Sequence, residues 1–131
     1  MPLAGSFLPG FFPARTRRFI RPVVHCEPVN LPHPPRYNVI GVGVSALTFA
    51  RACAMVLEAR GARRLGYICL GTAHGLTEAR GDAALRRIYN ASWLTTPDGM
   101  PLVWLGPSGV ERVYGPDLML AVCDAGRAVG L

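Results

Sequence analysis

The chain alternates between continuous apolar runs and stretches in which apolar residues recur at helical spacing. The runs at residues 37–44 and 65–70 lack polar alternation, as strands do when both of their faces are buried. Between them, residues 47–60 show the helical pattern, and Ser45 is placed to cap that helix. The beginning of the pattern therefore predicts a strand, a helix and a second strand.

The same alternation continues to the end of the chain. Residues 76–80 and 82–91 are predicted to form either one helix interrupted near Gly81 or two short helices. The later predicted elements are a strand at 93–96, a short helix at 100–105, a candidate strand at 111–114 and a helix at 116–125. Asp82 is placed to cap the second of the paired helices, in which Leu85, Ile88 and Tyr89 are predicted to face inward. Alternation of this kind predicts an α/β fold, a Rossmann-like and mostly parallel sheet with helices on both faces.

Asp98 lies at the junction between the strand at 93–96 and the helix at 100–105, just after Pro97, which ends the strand because it has no N–H. Open α/β sheets bind ligands at the carboxyl ends of their strands, so this acid is a candidate general base. The alternative is an N-cap, in which the carboxylate accepts from the first turn of the helix. These residues alone leave both roles open, and the cap is the commoner of the two.

Arg112 precedes a second helix start, at Gly115 and Pro116. The free N–H groups of such a start can hold a phosphate, with Arg112 beside it as a bidentate partner. The alternative is a surface ion pair between Arg112 and either Glu111 or Asp117.

Thr72 and His74 follow the second predicted strand, so we expect them to face the same cleft as Asp98. A histidine there can orient a phosphate or exchange a proton near neutral pH, although a capping or packed histidine is the commoner outcome.

A rival signal begins at Gly41, where G-x-G-x-x-A runs to Ala46 between a predicted strand and a predicted helix. This is the form of a dinucleotide-binding fingerprint. The fingerprint also needs an acid about twenty residues further on, and no acid lies between Glu58 and Glu78. A dinucleotide-binding module therefore stays an alternative function.

Three segments, YICLGTAHGLTEAR, TPDGMPLVW and ERVYGPDL, carry a resemblance to a known family. Over about residues 37–125 the chain resembles the WecG/TagA/CpsF glycosyltransferases, family 26 of the glycosyltransferases. The resemblance implies an inverting, metal-independent enzyme that needs no cofactor. Such an enzyme moves a sugar of the N-acetylmannosamine type from a UDP-sugar to an undecaprenyl-diphosphate-linked saccharide, in the synthesis of cell-surface polysaccharide.

The resemblance also implies roles for single residues. By position, Asp98 is the implied catalytic base and Arg112 an implied functional residue. The candidate substrate-binding residues are Thr72, His74, Gly99, Gly115 and Asp117. Members of the family typically continue well past the position of Leu131, so we expect a domain that is incomplete at its C terminus, and an inactive fragment is a second alternative function.

The resemblance has two departures. Many members carry Thr-x-Asn at the end of the second strand, where residues 70–72 of this chain are Leu-Gly-Thr. The connection between Trp104 and Glu111 is also shorter than usual.

Residues 1–36 are rich in Pro, Phe and Arg and are predicted to be a disordered or extended arm before one domain at 37–131. The arm holds five Arg against one acid, whereas residues 37–131 hold nine Arg against seven acids. The domain therefore gives little electrostatic reason to bind nucleic acid. Phe and Arg in the arm suggest peripheral contact with an anionic membrane, and we expect a cytoplasmic protein at the inner face of the cell membrane.

The four cysteines show no paired C-x-x-C spacing. Cys53, Cys69 and Cys123 lie in apolar surroundings, which predicts buried free thiols. His25 and Cys26 are adjacent but have no second ligand pair at zinc spacing, so no metal site is predicted.

Overall fold

The computed structural model describes residues 32–128 and residue 130, and the predicted α/β class is confirmed. In chain order the elements are β1 (Arg36–Val39), β2 (Val42–Ser45), α1 (Phe49–Gly61), β3 (Ile68–Gly71), α2 (Ala73–Gly81), α3 (Ala83–Ala91), β4 (Leu94–Pro97), α4 (Met100–Leu105) and α5 (Gly115–Arg127). The predictions for residues 1–31, including the membrane contact of the arm, lie outside the described residues.

The first apolar run forms a hairpin, so the single strand predicted at 37–44 is wrong. β1 pairs antiparallel with β2, and Ile40 and Gly41 make the turn between them with φ values of 47° and 94°. A two-residue hairpin turn of this kind needs positive φ at both positions, for which Asn-Gly is the usual sequence. The sequence pattern did not predict this turn, because a β-branched residue, Ile40, occupies the first of these positions.

The second sheet is the parallel pair β3 and β4, whose register runs from Ile68 opposite Leu94 to Gly71 opposite Pro97. β2 lies against β4, where the buried Ser45 hydroxyl accepts the N–H of Thr95 at 3.1 Å. Ser45 is therefore not the predicted helix cap.

Thr48 caps α1 instead, because its side chain accepts the N–H of Arg51. The helix consequently begins later than the apolar pattern predicts.

Two apolar clusters form the core. One joins Leu94 to α1, α5 and the segment before α5; its buried members are Leu47, Ala52, Met55, Ala59, Trp93, Leu94, Val113 and Leu118. The next residue, Thr95, points the other way, since its hydroxyl donates to the Tyr89 carbonyl of α3 at 3.1 Å. The second cluster joins the hairpin to α2 and α4 through Val39, Val42, Val44, Leu76, Ala79 and Leu102. Helices thus cover β4 on both faces.

Of the two alternatives for residues 76–91, the structure has two short helices, α2 and α3, and the predicted cap of the second is confirmed. Asp82 caps α3, since its carboxylate accepts the N–H groups of Ala84 and Leu85 at 2.7 and 3.1 Å. These two hydrogen bonds lower the pKa of Asp82. The stabilisation that they give is present above the pKa of the unfolded carboxyl group and is lost as the pH falls through the lower pKa of the folded one.

Two burial predictions are wrong. Leu65 lies before β3 and, like Leu70, is exposed, because one edge of β3 has no strand beside it among residues 32–128. Ile88 of α3 is also exposed, whereas Leu85 and Tyr89 pack against the second cluster as predicted.

The C terminus of α3 is held by an arginine from β1. The guanidinium of Arg36 donates to the carbonyls of Asn90 at 3.3 Å and Trp93 at 3.1 Å, and also to that of Ser92. α3 has no basic residue in its own last turn. A cation from another element therefore satisfies carbonyls that the helix leaves free.

We expect Arg36→Met to lower the free energy of unfolding by about 1.5–3 kcal/mol, because it keeps the apolar stem and removes the charged donors. Urea unfolding measures the change. Arg51→Met is the matched control, since Arg51 forms an exposed pair with Glu58 at 3.0 Å, and such pairs contribute about 1 kcal/mol or less. Equal losses in the two variants would contradict the capping role.

Candidate functional site

The peptide unit between Pro97 and Asp98 is fixed from both sides. Its N–H, from Asp98, donates to the carbonyl of Gly71 at the end of β3, at 2.9 Å. Its carbonyl, from Pro97, accepts the N–H of Val113 at 2.8 Å. The backbone that carries Asp98 is thus rigidly placed at the carboxyl ends of the two parallel strands, where α/β sheets bind ligands.

The carboxylate of Asp98 is not a helix cap. The N-cap of α4 is Gly99, which makes no side-chain hydrogen bond to the helix. The side chain of Asp98 is 9% exposed, and its Oδ1 is buried without a hydrogen-bond partner among the described residues. An unsatisfied buried acceptor costs about 1–3 kcal/mol, so its persistence is a sign of function.

Arg112 is brought to this carboxylate by the segment before α5. The N–H of Glu111 donates to the carbonyl of Leu47 at 3.1 Å, and Val113 makes the bond to Pro97, so both neighbours of Arg112 are anchored. The candidate strand at 111–114 is not formed, and the segment is held by these two bonds instead.

The guanidinium of Arg112 lies over the rim of the site. Its Nη2 is 3.9 Å from Oδ1 of Asp98, and its central carbon is 4.7 Å from the centre of the Tyr114 ring. The side chain is 48% exposed. Arg112 does not form the alternative ion pair with Glu111 or Asp117. Its guanidinium is half exposed to solvent and lies closest to the buried carboxylate of Asp98.

The other candidate substrate-binding residues lie in the segments that directly follow β3, β4 and Arg112. Thr72 caps α2 by accepting the N–H of Gly75 at 3.0 Å, so its hydroxyl already has a structural use. His74 and Asp117 are exposed near the starts of α2 and α5, and within residues 32–128 neither makes a side-chain hydrogen bond or ion pair. Gly99 directly follows Asp98.

Gly115 begins α5 at a point of close approach. A Cβ at this position would collide with the side chain of Leu70 at the end of β3. Absence of a side chain here lets α5 start against the strand, so the N-terminus of α5 lies beside the carboxyl end of β3.

Two residues of the site were missed by sequence reasoning. Glu111 was considered only as a partner for Arg112, but its carboxylate accepts the N–H of Phe49, the first residue of α1, at 2.9 Å. Tyr114 stacks under the guanidinium of Arg112. The i, i+2 spacing of Arg112 and Tyr114 in an extended segment, which puts both side chains on one face, is the signal that could have found the tyrosine.

We expect Glu111→Ala to lower the free energy of unfolding by about 0.5–2 kcal/mol, because it removes a charged acceptor from the N-terminus of α1. Glu111→Gln keeps an acceptor oxygen and should lose less than half as much. Urea unfolding of both variants checks the prediction. An alanine variant as stable as the wild type would show that the contact with Phe49 does not hold the segment in place.

The prediction of buried free thiols is only partly confirmed. Cys53 and Cys69 are half-buried and free, but Cys123 is exposed, which corrects the prediction for that residue. Burial raises the pKa of the Cys69 thiol, so this cysteine is a weak nucleophile at neutral pH. Within the described part of the chain, no three His, Cys, Asp or Glu side chains gather in a group that could hold a metal ion.

The dinucleotide fingerprint is not realised. Gly41 lies in the hairpin turn and the next four residues form β2, so the glycines do not form the turn between a strand and a helix N-terminus that the motif requires. Ala46 lies three residues before the start of α1. The alternative of a dinucleotide-binding module therefore loses its structural basis.

Among residues 32–128, no helix has both the length and the apolar character needed to span a bilayer.

An α/β domain with a buried acid and an arginine at the carboxyl ends of its parallel strands is typical of an enzyme that acts on an anionic substrate. The model of the glycosyl transferase WecG/TagA/CpsF family matches residues 37–131. The chain belongs to this family, which confirms the resemblance. A search of curated proteins found no significant match. Family membership implies glycosyltransferase activity in cell-surface polysaccharide synthesis, with sugar nucleotides and lipid-linked acceptors as the general partners.

Proposed function

We propose that this protein transfers a sugar of the N-acetylmannosamine type from a UDP-sugar to a saccharide linked to undecaprenyl diphosphate. The reaction inverts the anomeric centre and uses neither a metal nor a cofactor. Its place is the inner face of the cell membrane, in the cytoplasm. The observation that carries the proposal is the pairing of a buried, unsatisfied Asp98 oxygen with the half-exposed guanidinium of Arg112 at 3.9 Å.

Asp98 is the general base in this proposal. Its carboxylate takes the proton from the acceptor hydroxyl as the hydroxyl oxygen forms a bond to the anomeric carbon of the sugar. Burial suits this role, because Oδ1, which accepts no hydrogen bond from the described residues, keeps its lone pairs free for the incoming hydroxyl proton. The fixed peptide unit before Asp98 limits the movement of the base, which favours catalysis by positioning.

Arg112 stabilises the leaving group. As the bond from the anomeric carbon to the phosphate oxygen breaks, negative charge collects on the diphosphate of UDP, and a guanidinium can bind it with two parallel hydrogen bonds. The first turn of α5, with Gly115 beside β3, offers backbone N–H groups on the same side. Asp117 is exposed in that turn and would have to avoid the phosphate, so a sugar hydroxyl is its better partner.

Thermal unfolding in the presence of ligands tests the proposal. A ligand that binds only the folded chain stabilises it by about 2.7 kcal/mol at one hundred times its Kd. We expect UDP and UDP-N-acetylmannosamine to raise the midpoint and NAD to leave it unchanged. A response to NAD alone, or none to any uridine nucleotide at millimolar concentration, would contradict the donor assignment.

A further inference from the structure

An apolar surface without charges begins directly after the candidate base. Residues 99–110 contain no charged side chain. Within this stretch, α4 exposes Met100, Trp104 and Leu105, of which Trp104 is 74% and Leu105 66% exposed. Met100 and Trp104 share one side of the helix because they are four residues apart. With Ile40 from the hairpin turn, these three residues form what we call the α4 surface.

A groove connects the two parts of the α4 surface. Ile40 and Leu105 both line an apolar cavity of about 190 Å³ between the hairpin, α2 and α4. Its lining also includes Ala73 and Pro101, which come shortly after Gly71 and Asp98. The α4 surface therefore adjoins the edge of the molecule that carries the candidate site.

Backbone strain accompanies the exposure of Ile40. This β-branched residue has a φ of 47° and is 45% exposed at the tip of the hairpin. Left-handed backbone costs a residue of this kind about 1–2 kcal/mol, and asparagine or glycine would avoid most of the cost. Strain at an exposed apolar tip fits a side chain that serves a contact with a partner.

Arginines stand at the edge of this surface. The stem of Arg86 approaches Gly41 in the hairpin turn, and its guanidinium donates to the carbonyl of Arg80, whose side chain is exposed. Glu78 is the exposed acid nearby on α2, and the carboxylate of Asp82 is engaged in capping α3. An apolar centre with arginines at its edge is complementary to an anionic lipid bilayer, in which tryptophan occupies the interface.

A second exposed apolar pair, on α5, differs from the α4 surface in the charges beside it. Met119 and Leu120 of α5 are 64% and 61% exposed, nearly as much as the pair on α4. They lie on a helix whose exposed charged residues are Asp117, Asp124 and Arg127, and Asp124 pairs with Arg127 at 3.3 Å. The exposed charges of this helix sum to −1, and Asp117 has no basic partner on it, so anionic lipid is not attracted there and the α5 pair is a matched control for the α4 pair.

We infer that the α4 surface docks on an anionic lipid bilayer and turns the site at Asp98 toward a lipid-linked acceptor held there. This inference rests on the proposed function for the identity of the acceptor. The docking itself is a physical property that vesicle binding measures without any transfer of sugar.

The first experiment is sedimentation of the full chain with vesicles of phosphatidylglycerol and phosphatidylcholine. Replacing both Trp104 and Leu105 with serine should weaken binding at least tenfold, since two large apolar side chains no longer enter the interface. Replacing Met119 and Leu120 with serine should change it less than twofold. Ile40→Asn should weaken binding while raising the unfolding midpoint, which separates loss of docking from loss of folding.

The second experiment follows tryptophan fluorescence, because Trp104 is exposed and Trp93 is buried. In Trp93→Phe, lipids brominated on their acyl chains should quench the remaining emission, and in Trp104→Phe they should not. Quenching reports contact at α4 even where the N-terminal arm also binds vesicles.

Three results would overturn the inference. They are equal vesicle binding by the α4 and α5 serine pairs, emission of Trp104 that vesicles leave unchanged, and a dimer that Trp104→Ser dissociates in the absence of any vesicle binding. Asp98→Asn should bind vesicles like the wild type. If the wild type docks but transfers no sugar, the proposed function fails and the docking surface stands.

Discussion

Replacing Asp98 with asparagine is expected to lower the rate of sugar transfer by about 10² to 10⁴ while changing the free energy of unfolding by less than about 1 kcal/mol. The rate falls because the amide cannot take the proton of the acceptor hydroxyl. Stability is kept because Asp98 neither caps α4 nor accepts a hydrogen bond through Oδ1. Turnover with a UDP-sugar and urea unfolding measure the two quantities.

The control for this variant is Asp124→Asn. Asp124 is exposed on α5 and pairs with Arg127 at 3.3 Å, so it has the same chemistry without the buried position. It should transfer sugar at the wild-type rate. An Asp98→Asn variant with wild-type turnover would remove the general base from the mechanism, and one that fails to fold would assign the carboxylate a structural role.

Arg112→Ala should lower kcat by about 10² to 10³, the loss that follows removal of one group that stabilises charge in the transition state. Arg112→Lys should recover only part of this loss, because lysine keeps the charge but lacks the planar fork that binds a diphosphate with two hydrogen bonds. Steady-state kinetics over a range of UDP-sugar concentrations separates the effects on kcat and KM.

A control for the Arg112 variants is a second arginine that lies away from the candidate site. Arg127→Ala removes an arginine that is 81% exposed on α5 and should leave both constants unchanged. Should Arg112→Ala raise KM alone, the guanidinium would be a ground-state contact for the donor rather than a stabiliser of the leaving group.

The sequence predicted the elements whose boundaries depend on local chemistry. Pro97 ends β4 and Asp82 caps α3 as expected, and α4 has the predicted bounds. The hairpin was missed because its turn places an isoleucine where the rules expect asparagine. Apolar runs alone could not reveal it, since a continuous apolar stretch fits one buried strand as well as two short ones.

The candidate site was predictable in part. Sequence reasoning brought Asp98 and Arg112 to one end of the sheet, and the structure places their charged atoms 3.9 Å apart. It could not decide between a cap and a free acid at Asp98, because that choice depends on φ and ψ at Gly99 rather than on residue type. The anchor from Glu111 to Phe49 spans 62 positions and has no local signature.

A double-mutant cycle on kcat/KM for the UDP-sugar tests most directly whether Asp98 and Arg112 form one catalytic site. When two residues act as a unit in one transition state, the factors by which their single variants lower kcat/KM do not multiply in the double variant. We predict that Asp98→Asn combined with Arg112→Ala loses little more than the more damaging single variant. Losses that multiply in full would contradict a shared site, and a wild-type chain that transfers no sugar at all would contradict the proposed function.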